Sequence, residues 1–125
     1  MGSSKETHIN LKQMAENVGL GEDEYSSLLA LFIETTMYYL SELKSAIYNR
    51  DSNKVYDTIH TIRGAAENLG IPNISEIAKA MEMKARQNIL DGAEEATECL
   101  VKELNYITEI YYYDNRMVQL EHRIL

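Results

Sequence analysis

The sequence has 125 residues, of which 45% are hydrophobic, and a formal net charge of −8 at pH 7. This length allows one domain with its own hydrophobic core, and the negative charge opposes binding to nucleic acid or to an anionic membrane surface. No apolar run approaches the ~18 residues that a membrane-spanning helix requires. We therefore expect a protein with no nucleic-acid or membrane partner.

The composition favours helices. A single proline and six glycines interrupt a chain rich in helix-forming residues, and the alternation typical of strands is absent. Cys99 is the single cysteine, so we expect a small buried residue in a reducing cytoplasm rather than a disulfide. Residues 1–8 lack the apolar centre of a secretory signal and are expected to be disordered or vector-derived, and residues 9–125 are predicted to form one domain.

Hydrophobic periodicity predicts five helical segments, which in chain order cover approximately residues 9–18, 22–49, 53–70, 73–90 and 93–114. The first is short and is expected to cover one end of the fold as a lid. Short linkers between the other four predict an all-α, up-down-up-down antiparallel four-helix bundle. The stretch from Met117 to Leu125 can continue the last helix, form an extra short helix or fray, and it can also support a dimer.

Two further details concern the second and fourth segments. The predicted buried stripe of the second segment consists of Leu28, Leu29, Phe32, Thr36, Tyr39, Leu40, Leu43 and Ile47. Asn73 followed by Glu76 has the spacing of a capping box, which predicts that Asn73 caps the fourth segment.

The third segment carries two stripes. Its apolar residues recur at helical spacing and predict a buried face formed by Val55, Ile59, Ile62, Ala66 and Leu69. His60, Arg63, Gly64 and Glu67 fall on a neighbouring stripe, turned by roughly 100°. The histidine is therefore expected at the solvent-exposed flank of the helix. Gly64 costs about 1 kcal/mol relative to Ala in a helix interior, and close approach of a partner would explain its presence.

These residues carry a family resemblance. His-Thr-Ile-Arg-Gly-Ala-Ala from His60, followed by Leu-Gly-Ile-Pro, resembles the His-x-Leu-(Lys/Arg)-Gly-(Ala/Ser)-(Ala/Ser) signature of histidine-containing phosphotransfer (HPt) domains. The resemblance implies that His60 is the phosphoacceptor, that Arg63 helps to neutralise the phosphoryl group, and that Gly64 gives a partner room to dock. Glu67 departs from the pattern, since members of the family often carry a small or neutral residue there. An acidic residue two turns from a phosphohistidine would repel it slightly.

The resemblance also implies a function. The chain would be a monomeric phosphorelay intermediate that accepts a phosphoryl group from the aspartyl phosphate of a response-regulator receiver domain and passes it to another receiver in two-component signalling. Receivers, a hybrid histidine kinase or both would be its partners. The Mg²⁺ that transfer needs would belong to the receiver, so we expect no cofactor of its own. No glycine-rich phosphate loop is present, and we expect no independent kinase or hydrolase activity.

Neighbouring side chains are candidates for supporting roles. Asp57, one turn before the histidine, is positioned to hydrogen-bond the imidazole and fix its tautomer. Lys79, Lys84 and Arg86 of the fourth segment are candidates for neutralising the phosphoryl group, provided that they face the same side.

Other interpretations remain open. The histidine can be an ordinary surface residue, or the bundle can dock receiver or kinase partners without being phosphorylated. Asp57-Thr-Ile-His60 also has the carboxylate-x-x-His spacing of di-iron bundles, but those bundles use two such motifs and the sequence contains one. We therefore expect no metal site.

Overall fold

The computed structural model describes the backbone of residues 10–124 and the side chains of residues 10–114. Residues 1–8, predicted to be disordered or vector-derived, lie outside the described residues. The helices are α1 (Leu11–Asn17), α2 (Glu22–Tyr48), α3 (Ser52–Asn68), α4 (Pro72–Arg86) and α5 (Ala93–Ile124). The described residues contain no strand, and the all-α prediction is confirmed.

Helices α2 to α5 form the predicted antiparallel four-helix bundle. The three residues 49–51 join α2 to α3, residues 69–71 join α3 to α4, and residues 87–92 join α4 to α5. Connections this short force consecutive helices to run in opposite directions. Helix α3 packs against α2 and α4, and α5 closes the bundle by packing against the same two helices.

Helix α1 covers one end of this bundle, as predicted for a lid. It contacts α2 and α5, and it buries Leu11, Met14 and Ala15. The backbone N–H of Leu11 donates to Oδ2 of Asp114 on α5, at 2.7 Å. A carboxylate at this position satisfies one of the unpaired N–H groups at a helix start.

The turn between α3 and α4 is fixed from two sides. The buried hydroxyl of Tyr25 on α2 donates to the carbonyl oxygen of Leu69, at 2.6 Å. Gly70 has a φ of +65°, and a Cβ at this position would lie 2.9 Å from Cγ1 of Val18. The left-handed backbone and the contact with Val18 both require glycine.

The ends of α4 differ from the prediction. The helix begins at Pro72, whose missing N–H costs nothing in a first turn. Asn73 therefore lies inside the helix, and its side chain donates to Oε1 of Glu103 on α5, at 3.1 Å, instead of capping. The helix ends at Arg86, four residues early, because Asn88 adopts a φ of 62°, which asparagine tolerates better than most residues.

The predicted buried face of α3 is confirmed, since all five apolar residues are buried. Two predictions about burial are wrong: Leu28 is 40% exposed, and Cys99 is exposed. Helix α5 continues without interruption past Asp114 to Ile124. Of the three predicted alternatives for the stretch from Met117, continuation of the last helix is therefore correct. Within the described part of the chain, no helix is long and apolar enough to cross a bilayer.

Candidate functional site

The centre of the site is His60, which lies in the middle of α3. Asp51 caps the helix start by accepting from the backbone N–H of Lys54, at 3.1 Å, and the fully buried Ile59 and Ile62 fix the helix against the core. The imidazole stands on the adjacent flank with 58% of its side chain exposed. A stiff, anchored helix thus presents the ring to solvent, as predicted.

The exposed ring is held by a buried carboxylate. Glu82 of α4 is only 3% exposed, and its Oε2 lies 2.7 Å from Nδ1 of His60. Its second oxygen, Oε1, accepts a hydrogen bond from Nη1 of Arg63, at 2.6 Å. Both carboxylate oxygens therefore have hydrogen-bond partners on α3. These bonds compensate for the hydration that the charged group loses on burial.

The ionisation of Glu82 determines the tautomer of His60. Burial by itself raises the pKa of Glu82, but hydrogen bonds from His60 and Arg63, together with the charge of Arg63, outweigh burial and lower it. An ionised carboxylate can only accept hydrogen bonds, so Nδ1 must carry the proton. The lone pair of a neutral imidazole is then on Nε2, the ring nitrogen on the side away from Glu82.

Arg63 links two carboxylates. Besides its bond to Glu82, its Nε donates to Oε2 of Glu67 one turn further along α3, at 3.1 Å. The hydrogen bond to Glu82 is the main cause that raises the pKa of Arg63 above its ordinary value, so the guanidinium stays charged. Arg63 and Nδ1 of His60 thus share the carboxylate of Glu82.

Tyr56, one turn before His60 on α3, packs against the imidazole. Its ring is stacked on the imidazole of His60, with the centroids 5.7 Å apart and the planes inclined by 14°. Arg86 of α4 donates to the hydroxyl of Tyr56, at 3.0 Å, and its guanidinium lies 5.4 Å from the centre of the same ring. The stacking restricts the orientation of the imidazole, and the tyrosine that stacks on it also holds a second arginine.

Gly64 leaves the surface next to His60 open. A Cβ added to Gly64 would have no described atom within 4 Å. The fold therefore does not require glycine at this position, unlike at Gly70.

The other predicted residues are distributed over different faces. Asp57 is exposed, and the carboxylate that hydrogen-bonds the imidazole is that of Glu82. Lys79 is exposed one turn before Glu82, on the same side of α4. Lys84 lies on the opposite side, where it donates to the carbonyl oxygen of Asp91, at 3.1 Å, and lines an apolar cavity of about 260 Å³ with Cys99. The structure therefore separates Lys84 from His60.

Sequence reasoning missed Glu82 and Tyr56. Glutamate is rarely buried unless it is paired, so residue type alone does not indicate that Glu82 is buried. A signal was present, since Glu82 follows the buried Ala78 by four residues and precedes the buried Ala85 by three. A carboxylate within an apolar stripe requires a buried partner. For Tyr56 the signal was its spacing, because a residue four positions before the histidine lies next to it on the same face of the helix.

No group of three or more His, Cys, Asp and Glu side chains among the described residues is arranged to hold a metal ion.

Comparison with known proteins agrees with the fold and the motif. The chain is a four-helix bundle that exposes one nitrogen of an oriented histidine. Residues 27–110, more than half of the chain, match the Hpt domain family, and the chain belongs to this family. The resemblance inferred from the motif is thereby confirmed.

A solved structure shows the same fold. The crystal structure of histidine-containing phosphotransfer protein B (HptB) from Pseudomonas aeruginosa PAO1 superimposes with a TM-score of 0.77 at 23% sequence identity. The similarity covers 89% of this chain and 96% of that protein. Among curated protein sequences, none matches this chain significantly.

Proposed function

We propose that this protein is a phosphorelay intermediate, in which Nε2 of His60 accepts a phosphoryl group from the aspartyl phosphate of one receiver domain and passes it to the aspartate of another. The observation that carries the proposal is the bond between Nδ1 of His60 and the buried Glu82, at 2.7 Å. It leaves Nε2 with a lone pair on a ring that is 58% exposed.

The transfer step follows from this geometry. The lone pair of Nε2 forms the N–P bond while the bond between phosphorus and the aspartyl oxygen breaks, and its electron pair remains on the receiver's carboxylate. The imidazole becomes positively charged as the bond forms, and the carboxylate of Glu82 stabilises this charge through Nδ1–H. Phosphoryl transfer relies mainly on such positioning and electrostatics, and little covalent chemistry is required of the protein.

Cations near the ring would neutralise part of the charge of a phosphoryl group, which adds roughly −1.5 to −2. Arg63 lies one turn after His60, and Arg86 is held against Tyr56, which stacks on the imidazole. Lys79 is on the same side of α4, and Lys84 is excluded from this role by its position. We assign phosphoryl neutralisation to Arg63 and Arg86, with Lys79 as a more distant contributor.

A docking surface adjoins the histidine. Gly64 leaves room for a close partner, and helical spacing places Leu31, Thr35, Tyr38 and Glu42 in one stripe on α2. The ion pair between Glu42 and Lys54 of α3, at 3.3 Å, indicates that this stripe borders the exposed face of α3. Leu31 and Tyr38 are exposed apolar side chains. We propose that the receiver docks over Gly64 and this α2 stripe.

The proposal includes three further expectations: the protein acts as a monomer, it functions in the cytoplasm, and Mg²⁺ is supplied by the receiver. The alternative role is a helical module that docks receivers or kinases without being phosphorylated. Both roles use the same surface, and they differ only in whether His60 is modified.

A transfer assay separates them. Wild type and His60→Gln are incubated with a panel of phosphorylated receivers and Mg²⁺, and acid-labile, base-stable label on the protein is measured. We expect label on wild type only. Binding of receivers without labelling of wild type would support the docking module instead.

A further inference from the structure

The acidic side chain of Glu67 is connected to His60 through a chain of hydrogen bonds. Glu67 accepts from Nε of Arg63, Arg63 donates to Oε1 of Glu82, and Oε2 of Glu82 is bonded to Nδ1 of His60. We call these four residues the carboxylate–arginine chain. Glu67 is 49% exposed and does not contribute to the core, so its role in packing is small.

The carboxylates of Glu67 and Glu82 both bind the guanidinium of Arg63. Arg63 is 30% exposed, and two of its nitrogens are bonded to different carboxylates, at 2.6 and 3.1 Å. The formal charges of Glu67, Arg63 and Glu82 sum to −1 beside the ring that is to carry the phosphoryl group. Without Glu67 the sum would be zero, and the Nε edge of Arg63 would be available to another anion.

We propose that Glu67 sets the stability of the phosphohistidine by holding Arg63 away from the phosphoryl group. In the unphosphorylated protein the Nη1 of Arg63 is bonded to Glu82 and its Nε to Glu67, so the Nε edge can pair with a phosphoryl oxygen only after Glu67 releases it. Glu67 thus raises the free energy of the phosphorylated form, which favours onward transfer to a receiver. This inference rests on the proposed function, and it identifies Glu67 as a positioning residue that acts through Arg63.

The size of the effect follows from the distance and the charges. Seven residues of helix separate Glu67 from His60, a rise of about 10 Å. A unit charge at this distance from a phosphoryl group shifts an equilibrium by about twofold at the permittivity of water, which applies because about half of the Glu67 side chain is exposed. Release of the Nε edge of Arg63 acts in the same direction, because the planar guanidinium pairs well with phosphoryl oxygens.

The test uses phosphoramidate, which phosphorylates histidine without a receiver. The lone pair of Nε2 forms the N–P bond, the P–N bond of phosphoramidate breaks, and ammonia leaves. The ratio of phosphohistidine to histidine is measured by ³¹P NMR at fixed phosphoramidate and ammonium concentrations. Wild type, Glu67→Gln, Arg63→Gln and the double variant are compared, and Glu76→Gln, which removes an exposed carboxylate from another face of α4, is the charge-matched control.

We expect Glu67→Gln to raise the ratio about fivefold in the wild-type background and about twofold or less in the Arg63→Gln background. Glu76→Gln should change it by less than Glu67→Gln does, because Glu76 lies on another face of α4 and is bonded to no member of the carboxylate–arginine chain. An unchanged ratio in Glu67→Gln, or an equal increase with and without Arg63, would overturn the inference.

A second arm separates this inference from the proposed function. The same variants are mixed with a phosphorylated receiver, and the equilibrium between phosphoaspartate and phosphohistidine is measured. If phosphoramidate labels wild type but no receiver does, the relay function fails, while the comparison of Glu67→Gln with wild type still decides the role of Glu67.

Discussion

Nδ1 of His60, on the exposed flank of α3, lies 2.7 Å from Oε2 of Glu82, a buried carboxylate on α4. Nearly all of the proposed chemistry depends on this contact. It orients the ring, assigns the proton to Nδ1, and provides a negative charge that stabilises the imidazolium formed during transfer. The predictions below test this contact and its surroundings.

Replacing Glu82 with Gln should slow transfer while preserving the fold. The amide keeps the shape of the side chain and one hydrogen bond to the ring, but it removes the charge that stabilises the imidazolium. We expect the initial rate of phosphotransfer from a receiver to fall by about tenfold. ¹⁵N NMR of the imidazole should show loss of the single Nδ1–H tautomer. An unaltered rate together with an unaltered tautomer would contradict the role assigned to Glu82.

The lowered pKa of Glu82 also predicts a dependence of stability on pH. The folded protein binds this proton less tightly than the unfolded chain, so protonation favours unfolding. The stabilisation is complete above the ordinary pKa of 4.5 and is lost as the pH falls through the lower folded-state value. Urea denaturation of wild type and Glu82→Gln should show a stability difference that shrinks between about pH 6 and pH 3. A constant difference over this range would be inconsistent with a depressed pKa.

Gly64 offers a test of docking that is independent of the chemistry. Alanine fits, because a Cβ would meet no described atom within 4 Å, and it should raise the unfolding free energy by about 0.5–1 kcal/mol. A larger side chain, as in Gly64→Leu, should reduce transfer from a receiver by at least about tenfold if the partner approaches here. Phosphorylation of Gly64→Leu by phosphoramidate is the control and should match wild type. Equal loss in both reactions would indicate a disturbed histidine rather than a blocked surface.

Tyr25 provides a prediction about the scaffold. Its buried hydroxyl donates to the carbonyl oxygen of Leu69, at 2.6 Å, and removing it in Tyr25→Phe should cost about 1–2 kcal/mol because a buried acceptor loses its partner. Burial raises the pKa of Tyr25 from 10.0 to about 12. The unfolded chain therefore ionises first, and wild type should lose stability as the pH rises from 10 to 12. Chemical denaturation should show a smaller loss in Tyr25→Phe, and equal losses would contradict the raised pKa.

Local patterns in the sequence were sufficient to predict the bundle. The buried stripe of α3 and the short connections each depend on residues close together in the chain, so periodicity and turn residues reveal them. The helix limits were harder to predict. Asn88 ends α4 by adopting a left-handed conformation, and asparagine is also compatible with continuing a helix, so the pattern alone favoured a longer one.

The site was predicted only in part, for a physical reason. His60, Arg63 and Gly64 share one helix, and their spacing brings them together without tertiary information. The partner of the imidazole comes from another helix, 22 residues away. Asp57 was the nearest carboxylate in the sequence, but α4 packs beside the opposite flank of His60 and brings Glu82 to Nδ1. Contacts between helices depend on which faces meet, and a single sequence does not specify this.

The most direct measurement is the site of phosphorylation within the imidazole. ³¹P–¹⁵N NMR of the protein, labelled by a phosphorylated receiver, distinguishes phosphorus on Nε2 from phosphorus on Nδ1. We expect phosphorus on Nε2 of His60, with Nδ1 still protonated and bonded to Glu82. Phosphorus on Nδ1, or on a residue other than His60, would contradict it.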